Sequence, residues 1–292
     1  MTNQPTRPMS EQVQLHPDKE LEAAEAAVRQ QPAQAIHRWR LFQWLCVTCQ
    51  WERAVQQLQV YAQLGGAQIS VVQALRDLVR AERSRAKVMA GQQLPGFVLD
   101  DAPSWMRGML DALSLAGQGQ IDAADDARER ALDLAPLVAG RSGDIAFDWI
   151  GDSDTRLGPI CELIAAGRYR WLSLADIAEW QVEKPATLLD LIWAPCMLTL
   201  TDGTLMRGFM PARYPDSGDA QGDERDARLL ARRTAWREVG RTGVIASGRK
   251  TWTTSAGDFD LYELAHCSFT PATDPAGSAD GRHQDATSGA PL

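Results

Sequence analysis

Residues 113–136 read LSLAGQGQIDAADDARERALDLAP, and they decide the fold of the front half. Leu113 and Leu115 close one apolar helical stripe, and Gly117-Gln118-Gly119 breaks it. Ile121 to Leu134 then runs as an Ala-rich second helix that stops before Pro136. Small residues on facing helices let the backbones approach closely, so the stretch predicts a tight antiparallel helical pair. The first member of the pair carries Met106, Met109 and Leu110 upstream, with Ser104 as its expected N-cap.

The same pattern extends towards the N-terminus. Leu21, Ala24, Ala27 and Val28 fall at helical spacing before Pro32. Trp39, Phe42, Leu45, Cys46 and Cys49 form a second apolar face. Trp51, Leu58, Tyr61 and Ala62 carry a third helix to Gly65-Gly66, and Val72, Leu75, Leu78 and Val79 a fourth from Val71 to about Val88. Pro32 and Gly66 are 34 residues apart, and Pro136 follows after about two such periods, with residues 92–101 as an irregular insert. That period matches tetratricopeptide-like helical hairpins, which cannot bury their faces singly and therefore stack into a concave array.

Beyond 137–143 the pattern changes to strands. Leu198–Thr201 and Thr204–Met210 alternate around Asp202-Gly203, a strong hairpin signal. Thr251-Trp-Thr-Thr254, a Ser-Ala-Gly-Asp turn and residues 259–264 predict a second hairpin. Trp171-Leu-Ser and Ala178–Val182 are weaker strand candidates, and residues 223–236 read as one amphipathic helix. The expected fold is multidomain α and β: tetratricopeptide-like helical hairpins over 16–136, then a smaller α+β domain with antiparallel hairpins over 137–269. The polar stretch 1–15 and the low-complexity tail 270–292 are expected to be disordered.

With 292 residues, 45% of them hydrophobic, the chain is long enough for ordinary cores without staples. A net charge of −8 argues against general nucleic-acid binding, which draws its affinity from Lys and Arg on phosphates. No apolar run reaches membrane-span length, and residues 1–10 lack the apolar stretch of a signal peptide. Five scattered cysteines fit a reducing compartment. Ten Trp against four Tyr is the oddity, and it marks cores or a docking surface.

Cys46-Val-Thr-Cys49 has metal or redox spacing, but the four His are isolated and no second pair exists, so core packing is the expectation. The densest polar cluster is Asp152, Asp154 and Arg156. Its carboxylates offer a hard cation some oxygens. The preferred reading is structural, with the acids capping a helix at 163–166 and Arg156 paired to them. Ser247-Gly-Arg-Lys250 fits a nucleophile motif whose companion motifs are missing, so it is read as chance. Aromatic–Arg clusters remain at Arg168-Tyr169, Trp193, Arg213-Tyr214 and Trp236. They suit either an interface or Arg-on-ring stacks inside the domain.

The segments FQWLCVTCQWERAVQQL, DWIGDSDTRLGPICELIAAGRYRWL, DLIWAPCMLTLTDG, PARYP and ARRTAWRE, in that order, resemble the ImpE family, also called TagJ or SciE, of bacterial type VI secretion clusters. The resemblance spans about Leu21 to Phe269. It implies a non-enzymatic, cytoplasmic accessory protein without a cofactor. The implied partners are the N-terminal helix of the small contractile-sheath subunit, TssB, and the sheath-disassembly ATPase, ClpV. Partner-binding candidates are Trp39, Trp51, Arg168, Tyr169, Trp193, Arg213, Tyr214 and Trp236. The competing reading is a metal-dependent ligand-binding protein or enzyme centred on Asp152, Asp154 and Arg156.

Overall fold

Pro17 opens the first helix, α1 (Pro17–Gln30), where its missing N–H costs nothing, and Asp18 and Glu20 lie near the positive end of the helix dipole. It buries Leu21, Ala24 and Val28 against α2 (Ala35–Val47). α2 packs in turn on α3 (Trp51–Gln63), and α3 on α4 (Ile69–Met89). After an intervening strand, α5 (Ser104–Gly117) and α6 (Ile121–Asp133) form the closely packed pair read from residues 113–136. Gly108 faces Ala131 across that pair, where a Cβ on Gly108 would lie 3.0 Å from the Ala131 Cβ. Ser104 is the first residue of α5 rather than its cap, and the cap position is Pro103.

These features come from a computed structural model that describes residues 15–99, 101–215 and 218–270. The expected disordered ends lie outside the described residues, apart from Leu15 and Thr270. No described helix is long and apolar enough to cross a membrane.

The back half is built on a nine-stranded sheet. Its strands are β1 (Gly96–Phe97), β2 (Gly140–Ser142), β3 (Ile145–Phe147), β5 (Ile160–Ala165), β6 (Arg168–Ser173), β7 (Ile177–Val182), β8 (Trp193–Leu200), β9 (Leu205–Pro211) and β15 (His266–Phe269). They run in the order β1-β6-β5-β9-β8-β7-β15-β2-β3. All pairings are antiparallel except β1 with β6, so the insert after α4 supplies an edge strand. Two three-stranded sheets complete the half. One is β10 (Arg213–Tyr214), β12 (Gly243–Arg249) and β11 (Thr234–Val239); the other is β14 (Gly257–Asp260), β13 (Thr251–Thr254) and β4 (Ile150–Asp152). The Asp202-Gly203 turn joins β8 to β9, with Gly203 at φ +86° and the Leu200 and Thr204 backbones bonded across it.

Three further local expectations change. Residues 163–166 belong to strand β5 and its turn, not to a helix: every residue of ICELIA is buried, as suits a central strand covered on both faces, and Glu162 is the one charge in the run. The single helix expected over 223–236 is α7 (Gly222–Leu229) followed by strand β11. Ala231 turns into the left-handed region at φ +50°, Arg232 N–H closes on the Ala227 carbonyl, and Thr234–Val239 then pairs with β12. The second hairpin turns at Ser255-Ala256 alone, so its return strand begins two residues earlier than expected, because Thr254 pairs with Gly257.

One hydrophobic core runs through both halves. It joins Phe42, Leu45 and Leu58 of the helices to Trp171 and Trp193 of the sheet and Leu229–Ala231 after α7. A second core lies within the sheets. There Trp180 stacks on Trp252 at 5.0 Å and meets Phe269 edge-on at 4.8 Å.

Candidate functional site

Where α4 meets the large sheet, the apolar stripe Leu78, Glu82, Arg85, Met89 carries two charged residues into the interior. Arg85 forks onto Glu162 of β5, with Nε to Oε1 at 2.6 Å and Nη2 to Oε2 at 2.9 Å. Its third nitrogen, Nη1, donates to the Arg213 carbonyl at 3.1 Å. Lys250 Nζ reaches the same Glu162 at 2.7 Å and also pairs with Asp152. The Tyr169 hydroxyl donates to Glu162 Oε1 at 2.7 Å and accepts the Trp171 indole N–H at 2.7 Å. Burial alone would favour a neutral Glu162, but Arg85 and Lys250 outweigh it and hold the carboxyl well below the usual range. Burial raises the Tyr169 phenol, and the Glu162 charge raises it further.

Asp152, Asp154 and Arg156 border this centre. Asp152 Oδ1 accepts the Asp154 N–H at 2.9 Å and the Tyr214 hydroxyl at 2.6 Å. Asp154 is fully buried and receives Arg156 Nε at 2.9 Å, the Arg156 N–H at 3.0 Å and the Ala246 N–H at 3.0 Å. Burial pushes the Asp152 carboxyl up to about 6, against the pull of Lys250 and with Glu162 and Asp154 adding to the rise. The oxygens that a cation would need are thus taken by Lys250, Arg156, Tyr214 and backbone N–H groups. The acids accept backbone bonds and Arg156 is paired, but they cap a turn before β5 and not a helix. A different trio, His16, Asp223 and Asp226, brings its ligand atoms within 4.8 Å of one another at the surface. There His16 Nδ1 lies 2.9 Å from Asp226.

The partner-binding candidates divide by depth. Tyr169, Trp193, Arg213 and Tyr214 are buried. Trp193 donates its indole N–H to Glu82 at 3.1 Å and packs on Trp51 at 6.1 Å between centroids. Arg213 crosses to the helical half, donating to the Cys46 carbonyl at 3.1 Å and to the Leu229 carbonyl, with Cys49 Sγ at 3.4 Å. The C-x-x-C segment therefore closes α2: Cys46 is buried, and Cys49 takes φ +58°. Trp39 and Trp51 are half-buried, Trp39 against Phe42 and Tyr61. Arg168 and Trp236 are exposed.

Trp236 leads to a feature that motif reading missed. Of the ten Trp, only Trp149 and Trp236 are exposed, at 38% and 51%, and both line one open groove of about 590 Å³. Leu132 of α6, Leu137, Ile150 of β4 and Val244 of β12 extend its apolar wall. No sequence signal joins these positions; only the fold does. Arg85 and Glu82 were legible in principle, as charges on an apolar helical stripe. The chance S-x-x-K motif also separates: Lys250 enters the buried network, whereas the Ser247 hydroxyl bonds Arg228 at 2.9 Å.

The model of the family described as ImpE protein matches residues 144–268. Over 254 residues the chain is 39% identical to the type VI secretion system accessory component TagJ of Pseudomonas aeruginosa, covering 87% of this chain and 88% of that one. A crystal structure of a Vibrio parahaemolyticus protein shares the fold at a TM-score of 0.79 and 22% identity, over 92% of this chain and 97% of that one.

Proposed function

The chain belongs to the ImpE family, and on that premise we propose that it is a non-enzymatic accessory protein of a bacterial type VI secretion system. The observation that carries the reading is the similarity to an accessory component across both halves, helical and sheet alike. In this reading the protein binds the N-terminal helix of the small sheath subunit TssB and links the sheath to the ATPase ClpV in the cytoplasm. The helical pairs α1–α4 and α5–α6 act as a tetratricopeptide-like array, the architecture suited to receiving a helix along its surface. Trp39, Trp51, Arg168 and Trp236 are the candidates able to touch a partner. Trp193 and Arg213 bridge the two halves beneath them, Tyr169 packs in the core that the halves share, and Tyr214 bonds within the sheet half.

Co-purification tests the proposal. The chain is expected to retain its cognate sheath subunits, and to lose them when the first residues of the small subunit are removed. Retention that is indifferent to that truncation would refute the helix as the contact.

A further inference from the structure

We infer that the groove between Trp149 and Trp236 is a docking site for a peptide segment of a partner protein that pairs a bulky apolar side chain with a neighbouring Arg or Lys. The inference rests on the accessory-protein reading and adds the place and chemistry of contact. Large side chains exposed singly are ordinary, but here both exposed Trp and two exposed Leu, Leu132 and Leu137, converge on one concavity. Trp is the residue most often found at the energetic centre of an interface, where it buries area with few rotors to fix.

The charge of the lining selects the occupant. Among the described residues its two charged lining residues are both aspartates, Asp152 and Asp258, and no Lys or Arg lines it. Asp152 is consumed inside by Lys250, which leaves the exposed Asp258 facing the open side without an ion pair among the described residues. A cationic side chain entering the groove gains both that carboxylate and the indole faces, which attract cations through the ring quadrupole. An acidic segment meets repulsion from Asp258 and from a chain of net charge −8. Addition of a partner strand to β4 is disfavoured, since β4 has three residues and the Asp152 N–H is already given to the Gly158 carbonyl at 2.6 Å.

The test uses the full chain and three variants: Trp149→Ala, Trp236→Ala and Asp258→Lys. Each is titrated with a synthetic Leu-Lys amphipathic peptide, its Leu-Glu counterpart and the purified sheath subunits. Melting curves guard against misfolding, and Asp258→Lys touches no core. The expected result is binding of the Leu-Lys peptide and not the Leu-Glu peptide. Sheath-subunit affinity should fall about tenfold or more in each variant at unchanged melting temperature. Sheath binding equal to wild type in all three variants overturns the groove and leaves the accessory reading standing. If the wild-type chain binds no sheath subunit, the accessory reading fails. The groove then stands only if the variants lose the Leu-Lys peptide, and it falls if that peptide does not bind.

Discussion

Glu162 is the residue on which the interior turns, because two cations from different parts of the chain, Arg85 and Lys250, share its carboxylate. Taking these charges out of water is costly, and only mutual pairing offsets it. Glu162→Gln keeps the shape but leaves two buried cations around a neutral amide. It is expected to lose about 3–5 kcal/mol in urea unfolding, and a loss below about 1 kcal/mol would contradict the pairing. Asp125 gives the pH counterpart. Burial opposes its charge, but the Arg241 N–H, the Thr242 hydroxyl and Arg128 hold its carboxyl down at about 2. A depressed folded value means that its stabilisation is complete above the ordinary carboxyl value of about 4 and is lost as the pH falls towards 2. Asp125→Asn should therefore lower stability at neutral pH and flatten the acid limb between those values. Parallel curves for variant and wild type would remove Asp125 from the account.

The individual elements differ in how openly the sequence announces them. The helices α1–α6 follow apolar spacing closed by Pro and Gly, and the β8–β9 hairpin follows Asp202-Gly203. Local chemistry sufficed there because the stripe and the turn each specify themselves. Strand β5 misleads, since a short, mostly apolar run such as ICELIA has no period of its own until neighbours on both sides give it a sheet. Residues 223–236 mislead for the opposite reason: helical spacing continues through Ala231 and Thr234, but pairing with β12 wins and turns the chain at Ala231. The turn between β11 and β12 also meets α6 closely. A Cβ on Gly240, whose φ is +67°, would lie 2.3 Å from Asp125 Oδ2 and 2.6 Å from Ile121 Cγ2. Gly240→Ala is expected to cost about 1–3 kcal/mol in thermal or urea unfolding, and a neutral substitution would show that this contact is loose.

At the scale of the whole molecule, the two cores take up most of the Trp excess. Trp44, Trp105, Trp171, Trp180, Trp193 and Trp252 are buried, Trp39 and Trp51 are half-buried, and Trp149 and Trp236 are left to the surface. Most of the aromatic–Arg clusters that looked like interface chemistry are thus the interface between the protein's own halves, with Arg213 tying β10 to the end of α2. That result was not legible, because a stack inside a seam and a stack awaiting a partner have the same local sequence. In the proposed reading the accessory role falls to the outer surface, to the helical array and the groove at its junction with the small sheets. Calorimetric titration of the full chain with a peptide of the small sheath subunit's N-terminal residues tests this most directly. Saturable binding at one peptide per chain is the expected result. No detectable binding, with the protein folded by its melting curve, would contradict it.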